Sequence, residues 1–337
     1  MRLNSVILYL AAFAATPVFA NDSSSAIGLG GLELTRNNAV SMDSEDLYLS
    51  LDKVVVKYRF TNTSAKDVET MVSFPLPPIP DGINGYLGDQ DYPDWKNFAF
   101  QTLVNGKAVN YTRIVKVEAN GRDVSARLKE LGWRVDYWTN DDRDDLISKI
   151  QMLPKSELDE HLREGLIVAR KKNPGYFDPN WQVTTYITRK QVFPAGKTIS
   201  VEHSYAPLTG GSVGGMMERS QRKDPTFKDY KNSFCIDKSF IAAFDKRRHS
   251  GKKDAEGNEP DSFYVESWLD YILKSGANWK GPIKDFRLVI DKGKASNLVS
   301  FCMDGVKKIS PTRFEIRKTN FEPTKDINIL IVQWAPA

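Results

Sequence analysis

The sequence predicts a mainly β (α+β) protein, with two antiparallel β-sandwich-like domains and a small helical insertion in the first. Three observations carry that expectation. Apolar and polar residues alternate over short stretches, as in KVVVKYRF, where Val54, Val56, Tyr58 and Phe60 recur at every second position. Turn and breaker residues bound these stretches, with Asn62-Thr63-Ser64 after one and Pro75, Pro77, Pro78 and Pro80 after the next. The period changes toward 3.6 around residues 122–170, where Val124, Leu128 and Leu131 fall on one helical face.

Composition sets the outer limits. In 337 residues, 41% hydrophobic, 27% charged and 11% aromatic content is that of a globular chain. A net charge of +4 is too mild to argue for nucleic acid, so no nucleic-acid partner is expected.

The first twenty residues, MRLNSVILYLAAFAATPVFA, read as a secretory signal peptide. Arg2 supplies the positive start, residues 6–15 are apolar, and Val18 and Ala20 stand at −3 and −1 of a cut after Ala20. The apolar run is about half the ~20 residues that span a bilayer, so cleavage is expected, not anchoring, and the protein is not expected to be integral to a membrane. Export to the periplasm places Cys235 and Cys302 in an oxidising compartment, where two solitary cysteines pair as a staple.

Beyond the leader, residues 21–31 (NDSSSAIGLGG) predict a flexible lead-in to a first domain over 21–208. Strands are expected at 54–60 and 68–74, then a hairpin through Asn105-Gly106 between 98–105 and 108–118. The insert at about 122–170 holds three helices. Asp123 caps the first and Gly132 closes it, 141–151 form the second, and the third starts near Pro154 or Ser156 with Asp159 placed for a capping box. Strands resume at 183–189 and 198–205. Residues 209–229 read as a linker to a second domain, 230–337. It is expected to hold one helix at about 262–274, strands at 283–290, 295–302 and 313–317, and the dense central strand INILIVQW at 327–334.

Several segments together resemble an uncharacterised family of exported bacterial proteins, the domain of unknown function 4424. They are GGLELTRNNAVSMDSEDLYLS, VVVKYRFTNTSAKDVETMVSFPLP, VFPAGKTISVEHSYAPLTGG, GANWKGPIKDFRLVID and SPTRFEIRKTNFEPTKDINILIVQW. The resemblance implies a Gram-negative periplasmic protein built mostly from β-structure, and it implies no activity. A shorter likeness, from the strand through Asn-Thr-Ser to Phe-Pro-Leu-Pro, is to β-sandwich modules of secreted adhesion-type proteins.

No residue set defines a reaction. His161, His203 and His249 lack metal-ligand spacing, so no metal and no cofactor are expected. His161 reads as solvated, His203 as a hydrogen-bonded strand residue, and His249 as part of a basic loop. The acidic run at 140–145 lacks the spacing of a calcium loop and suits a helix N-terminus. The glycines at 210–215 lack the lysine of a phosphate cradle.

Two features suit binding to an envelope protein, glycan or lipid. One is a set of aromatics flanking the insert: Tyr92, Trp95, Trp133, Tyr137, Trp138 and Trp181. The other is a basic loop with Lys246, Arg247, Arg248, Lys252 and Lys253, suited to anionic headgroups or acidic glycan. The expectation is therefore a non-enzymatic periplasmic binding or scaffold module. Two alternatives stand beside it: an envelope glycan hydrolase using a carboxylate pair, and a membrane-surface adaptor acting through residues 246–253.

Overall fold

The computed structural model describes residues 21–28, 31–79, 99–135, 140–170, 173–249 and 262–334. The chain enters through β1 (Ser23–Gly28) and β2 (Gly31–Thr35), then runs through β3 (Val40–Leu49), β4 (Val54–Asn62) and β5 (Val68–Pro75). Two short hairpins follow, β6 (Gln101–Val104) with β7 (Lys107–Ala108) and β8 (Thr112–Ala119) with β9 (Arg122–Asp123). Each turns on an Asn-Gly pair, Asn105-Gly106 and Asn120-Gly121, with every φ between 49° and 77°. That left-handed pair is what a two-residue hairpin turn of matching twist requires.

The helical insert consists of α1 (Ser125–Glu130), α2 (Asn140–Gln151) and α3 (Lys155–Glu164), with the small hairpin β10 (Ile167–Ala169) and β11 (Phe177–Pro179). The expected cap by Asp123 shifts: Val124 holds the N-cap position of α1 with no side-chain cap bond, and Asp123 Oδ1 accepts from the Ser125 N–H at 2.8 Å one residue before it. The expected box at Asp159 is absent: Pro154 precedes α3 and no side chain caps it. Leu128, Leu146, Ile150 and Trp181 pack together against Val117 and Val183 of the neighbouring strands.

The chain continues through β12 (Gln182–Phe193), β13 (Thr198–Tyr205), β14 (Thr209–Val213), α4 (Phe227–Ser233), α5 (Lys238–Arg248) and β15 (Tyr264–Tyr271). It closes with β16 (Ile283–Asp291), β17 (Leu298–Phe301), β18 (Lys307–Lys308), β19 (Arg313–Phe321) and β20 (Ile327–Trp334).

Three main sheets result. One has the order β2-β1-β5-β12-β8-β9, a second β18-β19-β16-β3-β4-β13-β6-β7, and a third β14-β15-β20-β17. Val54, Val56, Tyr58 and Phe60 of β4 all face inward, as the alternation predicts. One core cluster joins them to Phe74 and Phe193 of the six-stranded sheet and to Leu269, Tyr271, Ile327, Ile329 and Ile331 of the four-stranded sheet. The second and third sheets thus share that core with the first. Strand β20 is buried on both sides. Ile329 and Ile331 face the common core, while Leu330, Val332 and Trp334 pack with Phe234, Ile236 and Phe244 of the α4–α5 region. A strand covered on both faces reads as an unbroken apolar run, which is why INILIVQW looks as it does.

Several expectations change here. Residues 21–25 are buried, and β1 forms a strand between β2 and β5, so the lead-in is not flexible. Residues 209–229 are no simple linker: β14 pairs with β15, and a short turn of helix at Gln221–Lys223 leads into α4. The helix expected at 262–274 is strand β15, held between β14 and β20 and followed by a turn at Lys274–Asn278. Its sequence, FYVESWLDYILK, has apolar residues on every side, so periodicity alone does not choose. The two halves are also not separate sandwiches, because β16 pairs in parallel with β3 and completes the eight-stranded sheet.

Candidate functional site

Among the described residues, a buried set of ionisable side chains lies where residues 21–23 enter between the sheets. Asn21, Asp22, His203 and Glu45 have at most 1% of their surface exposed, and Arg189 has 7%. Each comes from a different place in the fold. Arg189 is on β12, His203 on β13 and Glu45 on β3, while Ser275, Asn278 and Trp279 come from the turn after β15.

Local backbone geometry aims these polar groups inward. On β12, Ile187, Arg189, Gln191 and Phe193 share one face; on β13, Ile199, Val201, His203 and Tyr205 do. Strand β3 reaches the same result through a bulge. Met42 pairs with Phe60, but the register slips between Met42 and Ser44, so Glu45 lies opposite Tyr58 and Leu47 opposite Val56. The extra residue shifts the inward set from even to odd numbers and turns Glu45 into the core.

Asp22 is the hub. Its Oδ2 accepts from Arg189 Nη2 at 2.8 Å, and its backbone carbonyl accepts from Trp279 Nε1 at 2.6 Å. His203 Nε2 lies 3.0 Å from Asp22 Oδ1 at an angle outside hydrogen-bond geometry, and Thr102 Oγ1 lies 3.0 Å from His203 Nδ1. Burial alone would raise the Asp22 carboxyl, but the Arg189 charge and its hydrogen bonds, with the His203 ring close by, outweigh it and hold it well below the usual carboxylate range. Burial pushes His203 down against the pull of Asp22. The pair is therefore a buried carboxylate–guanidinium with a neutral imidazole beside it.

Glu45 is different. Its Oε2 accepts from Asn21 Nδ2 at 2.9 Å, and its Oε1 has no hydrogen-bond partner among the described residues. Burial, with the nearby negative Asp22, raises it to about 8. Tyr58 donates to Asn21 Oδ1, and its oxygen lies 3.3 Å from the Tyr271 hydroxyl; burial raises both phenols well above their ordinary range. Phe74 and Phe100 pack tilted against His203 with ring centroids 5.2 and 5.1 Å away. Within its packed surroundings the cluster offers a substrate no exposed reactive atom.

The other raised carboxyl, Glu266, is wholly buried too and lies in the four-stranded sheet. It accepts from the Met217 N–H at 2.8 Å and from the Tyr230 hydroxyl. A Cβ at Gly215 would sit 2.4 Å from this carboxyl, so the glycine-rich run around 210–215 serves close backbone approach, not a phosphate.

The sequence-named residues fall in several places. Trp181 is 1% exposed, stacks on Trp133 at 6.0 Å and donates Nε1–H to Val135 O, so it packs the insert and does not present a ring. Trp133 is half-buried and lies edge-on to His161. His161, expected in solvent, is 2% exposed, because α3 turns that face toward Trp133 and Glu164. Tyr92, Trp95, Tyr137, Trp138, Lys252 and Lys253 lie outside the described residues.

Lys246, Arg247 and Arg248 form the last turn of α5, not a loop. Arg248 donates to Glu218 Oε1 at 2.8 Å and to Ser262 O at 2.9 Å, and Arg247 lies 5.6 Å over the Trp334 ring. His249 caps this helix through its N–H to Asp245 O. Cys235 and Cys302 are disulfide-bonded, with Cα atoms 5.1 Å apart, and tie the end of α4 to the end of β17. Among the described residues no cluster of three or more His, Cys, Asp or Glu side chains is arranged to hold a metal. Among them, too, no helix is long and apolar enough to cross a membrane.

Fold and site together define a mainly β protein whose ionisable centre is sealed between its sheets. The chain belongs to the family described as Domain of unknown function (DUF4424), whose model matches residues 20–330. No curated protein matches it. A solved structure described as a "putative nutrient binding protein", from Legionella pneumophila subsp. pneumophila, is similar at 15% identity and a TM-score of 0.42, over 94% of this chain and 71% of that one.

Proposed function

We propose that this protein is exported to the periplasm, loses residues 1–20, and works there as a non-enzymatic binding module that docks an envelope protein through its helical insert. The observation that carries this reading is where apolar side chains meet solvent. In the insert, Met152 is 76% exposed, Tyr176 52%, Val168 46% and Leu162 37%. Four of the ten exposed large apolar side chains among the described residues thus belong to this one small subdomain, and an apolar surface of that kind suits a partner. Three of these four are aliphatic or thioether chains, which suit a protein's apolar side chains better than a sugar face.

The strongly perturbed carboxyls argue in the same direction. Glu45 and Glu266 are both enclosed in separate sheets and bonded internally, so neither lines a groove in which a glycan would sit. A match that starts at residue 20 suits a leader that ends there.

Photo-crosslinking amino acids at Met152 and Tyr176, with control positions at Val306 and Ile309, test the reading in the exported protein. One reproducible protein adduct is expected from the insert positions and none from the controls. Met152→Asp should reduce the Tyr176 adduct at least several-fold. Adducts only to glycan or lipid, or equal adducts from all four positions, overturn it.

A further inference from the structure

Three facts converge on the backbone nitrogen of Asn21. The residue is wholly buried, its N–H donates to Ser275 Oγ, and the same hydroxyl donates back to Asn21 O at 2.8 Å. Its side chain is clamped as well, between Glu45 Oε2 at 2.9 Å and the Tyr58 hydroxyl. Beside it, Glu45 Oε1 is buried without a hydrogen-bond partner among the described residues. Among the described residues that carboxyl has a donor on one oxygen and no ion-pair partner.

We propose that this pocket is built for the chain's own amino terminus: removal of residues 1–20 turns the Asn21 nitrogen into an α-ammonium that stays sealed between the sheets and pairs with Glu45. The inference rests on cleavage after Ala20. Water adds across that peptide bond, leaving a carboxylate on the leader and a protonated amine on Asn21.

The change alters what the pocket contains. A peptide N–H offers one donor and no charge, whereas an ammonium offers three donors and a full positive charge. Ser275 Oγ accepts one of them. Covalent geometry keeps the nitrogen within a few ångström of its own Nδ2, which bonds Glu45 Oε2, so the new charge and the Glu45 carboxyl share one enclosed pocket. While the chain continues upstream of Asn21, burial and Asp22 keep Glu45 raised to about 8. An adjacent cation favours the ionised form instead. The matured cluster then holds two compensated pairs, Asp22 with Arg189 and Glu45 with the terminus, facing neutral His203 and the protonated phenols of Tyr58 and Tyr271.

The test uses a chain whose first residue is Asn21, released from a fused leader by a protease, and a second chain that retains Ala20. An amine-acylating reagent at neutral pH is followed by mass spectrometry of the N-terminal peptide. The Asn21 amine should react at least roughly tenfold more slowly in the native chain than in urea. Glu45→Gln, read by urea unfolding, should lower the folding constant roughly tenfold in the chain that starts at Asn21, one pKa unit's worth of interaction. In the chain that retains Ala20 it should leave that constant unchanged or raise it. A structural role for Glu45 alone predicts the same response in both chains.

Equal acylation in the native and unfolded states, or equal responses to Glu45→Gln, overturns the proposal. N-terminal sequencing of the exported protein tests the cleavage separately. A start other than Asn21 overturns the cleavage, and the proposal with it, whereas a start at Asn21 with a freely acylated amine overturns the pocket's role alone.

Discussion

At position 22 a carboxylate has exchanged water for one guanidinium, one imidazole and the packing of three sheets. A buried pair of this kind adds little by existing, but it is costly to break, because the survivor is left charged in the core. Asp22→Asn strands Arg189 and should cost about 3–5 kcal/mol in urea unfolding. Adding Arg189→Met should recover much of that, since the pair is then replaced and not halved. The pH dependence follows from the same residues. Asp22 and His203 both have folded pKa values below their ordinary 3.8 and 6.5, so the unfolded chain binds their protons first. The His203 contribution to stability should therefore be lost as pH drops below about 6.5, where the ring must charge, and that of Asp22 below about 4, where it must be neutralised. The raised carboxyl of Glu266, and of Glu45 where the leader is still attached, gives the opposite slope above the ordinary 4.5. His203→Gln should flatten the upper step in melting temperature against pH; an unchanged profile would remove His203 from the account.

At the scale of elements, the disulfide between the end of α4 and the end of β17 closes a loop with a sequence separation of 67. The chain-entropy relation gives about 4 kcal/mol for a loop of that length. Reduction, or Cys235→Ser with Cys302→Ser, should lower the urea midpoint accordingly, with the α4–α5 region opening first in hydrogen exchange. Which elements could be read from the sequence depends on what decides them. The alternation of β4, the two-sided apolar run of β20, the Asn-Gly turn at 105–106 and the helices of the insert are set by neighbours in sequence, and the sequence shows them. Strand β15 is set by β14 and β20, which lie far away in the chain, and its all-round apolar pattern fits a helix equally well. Glu45 faces the core only because a bulge at Asp43 flips the parity of β3. The site was hidden for a related reason. Residues 21–25, Asn-Asp-Ser-Ser-Ser, look like a solvated tail, and only polar residues at inward strand positions, Arg189 and Gln191 on β12 and His203 on β13, hinted at a buried partner.

At the scale of the whole molecule, the question is whether residues 21–208 and the remainder are separate folding units. The strand ladder says they are not. The parallel pairing of β16 with β3 runs from Asp285 opposite Ser44 to Ile290 opposite Leu49, in the middle of the eight-stranded sheet. Removing the C-terminal half leaves β3 as an open edge with unpaired N–H and C=O groups, a template for aggregation. It also strips Leu269, Tyr271, Ile329 and Ile331 from the common core, and takes Ser275 and Trp279 away from Asn21 and Asp22. A fragment of residues 21–208 should therefore aggregate, or show no cooperative unfolding, when made alone. Co-expression with residues 209–337 should return a soluble one-to-one complex, because the second fragment supplies β16 and the β15–β20 layer together. Size-exclusion chromatography with circular dichroism decides it. A monomeric 21–208 fragment with a sharp melting transition of its own would mean that the β3–β16 ladder joins two domains that are each already folded.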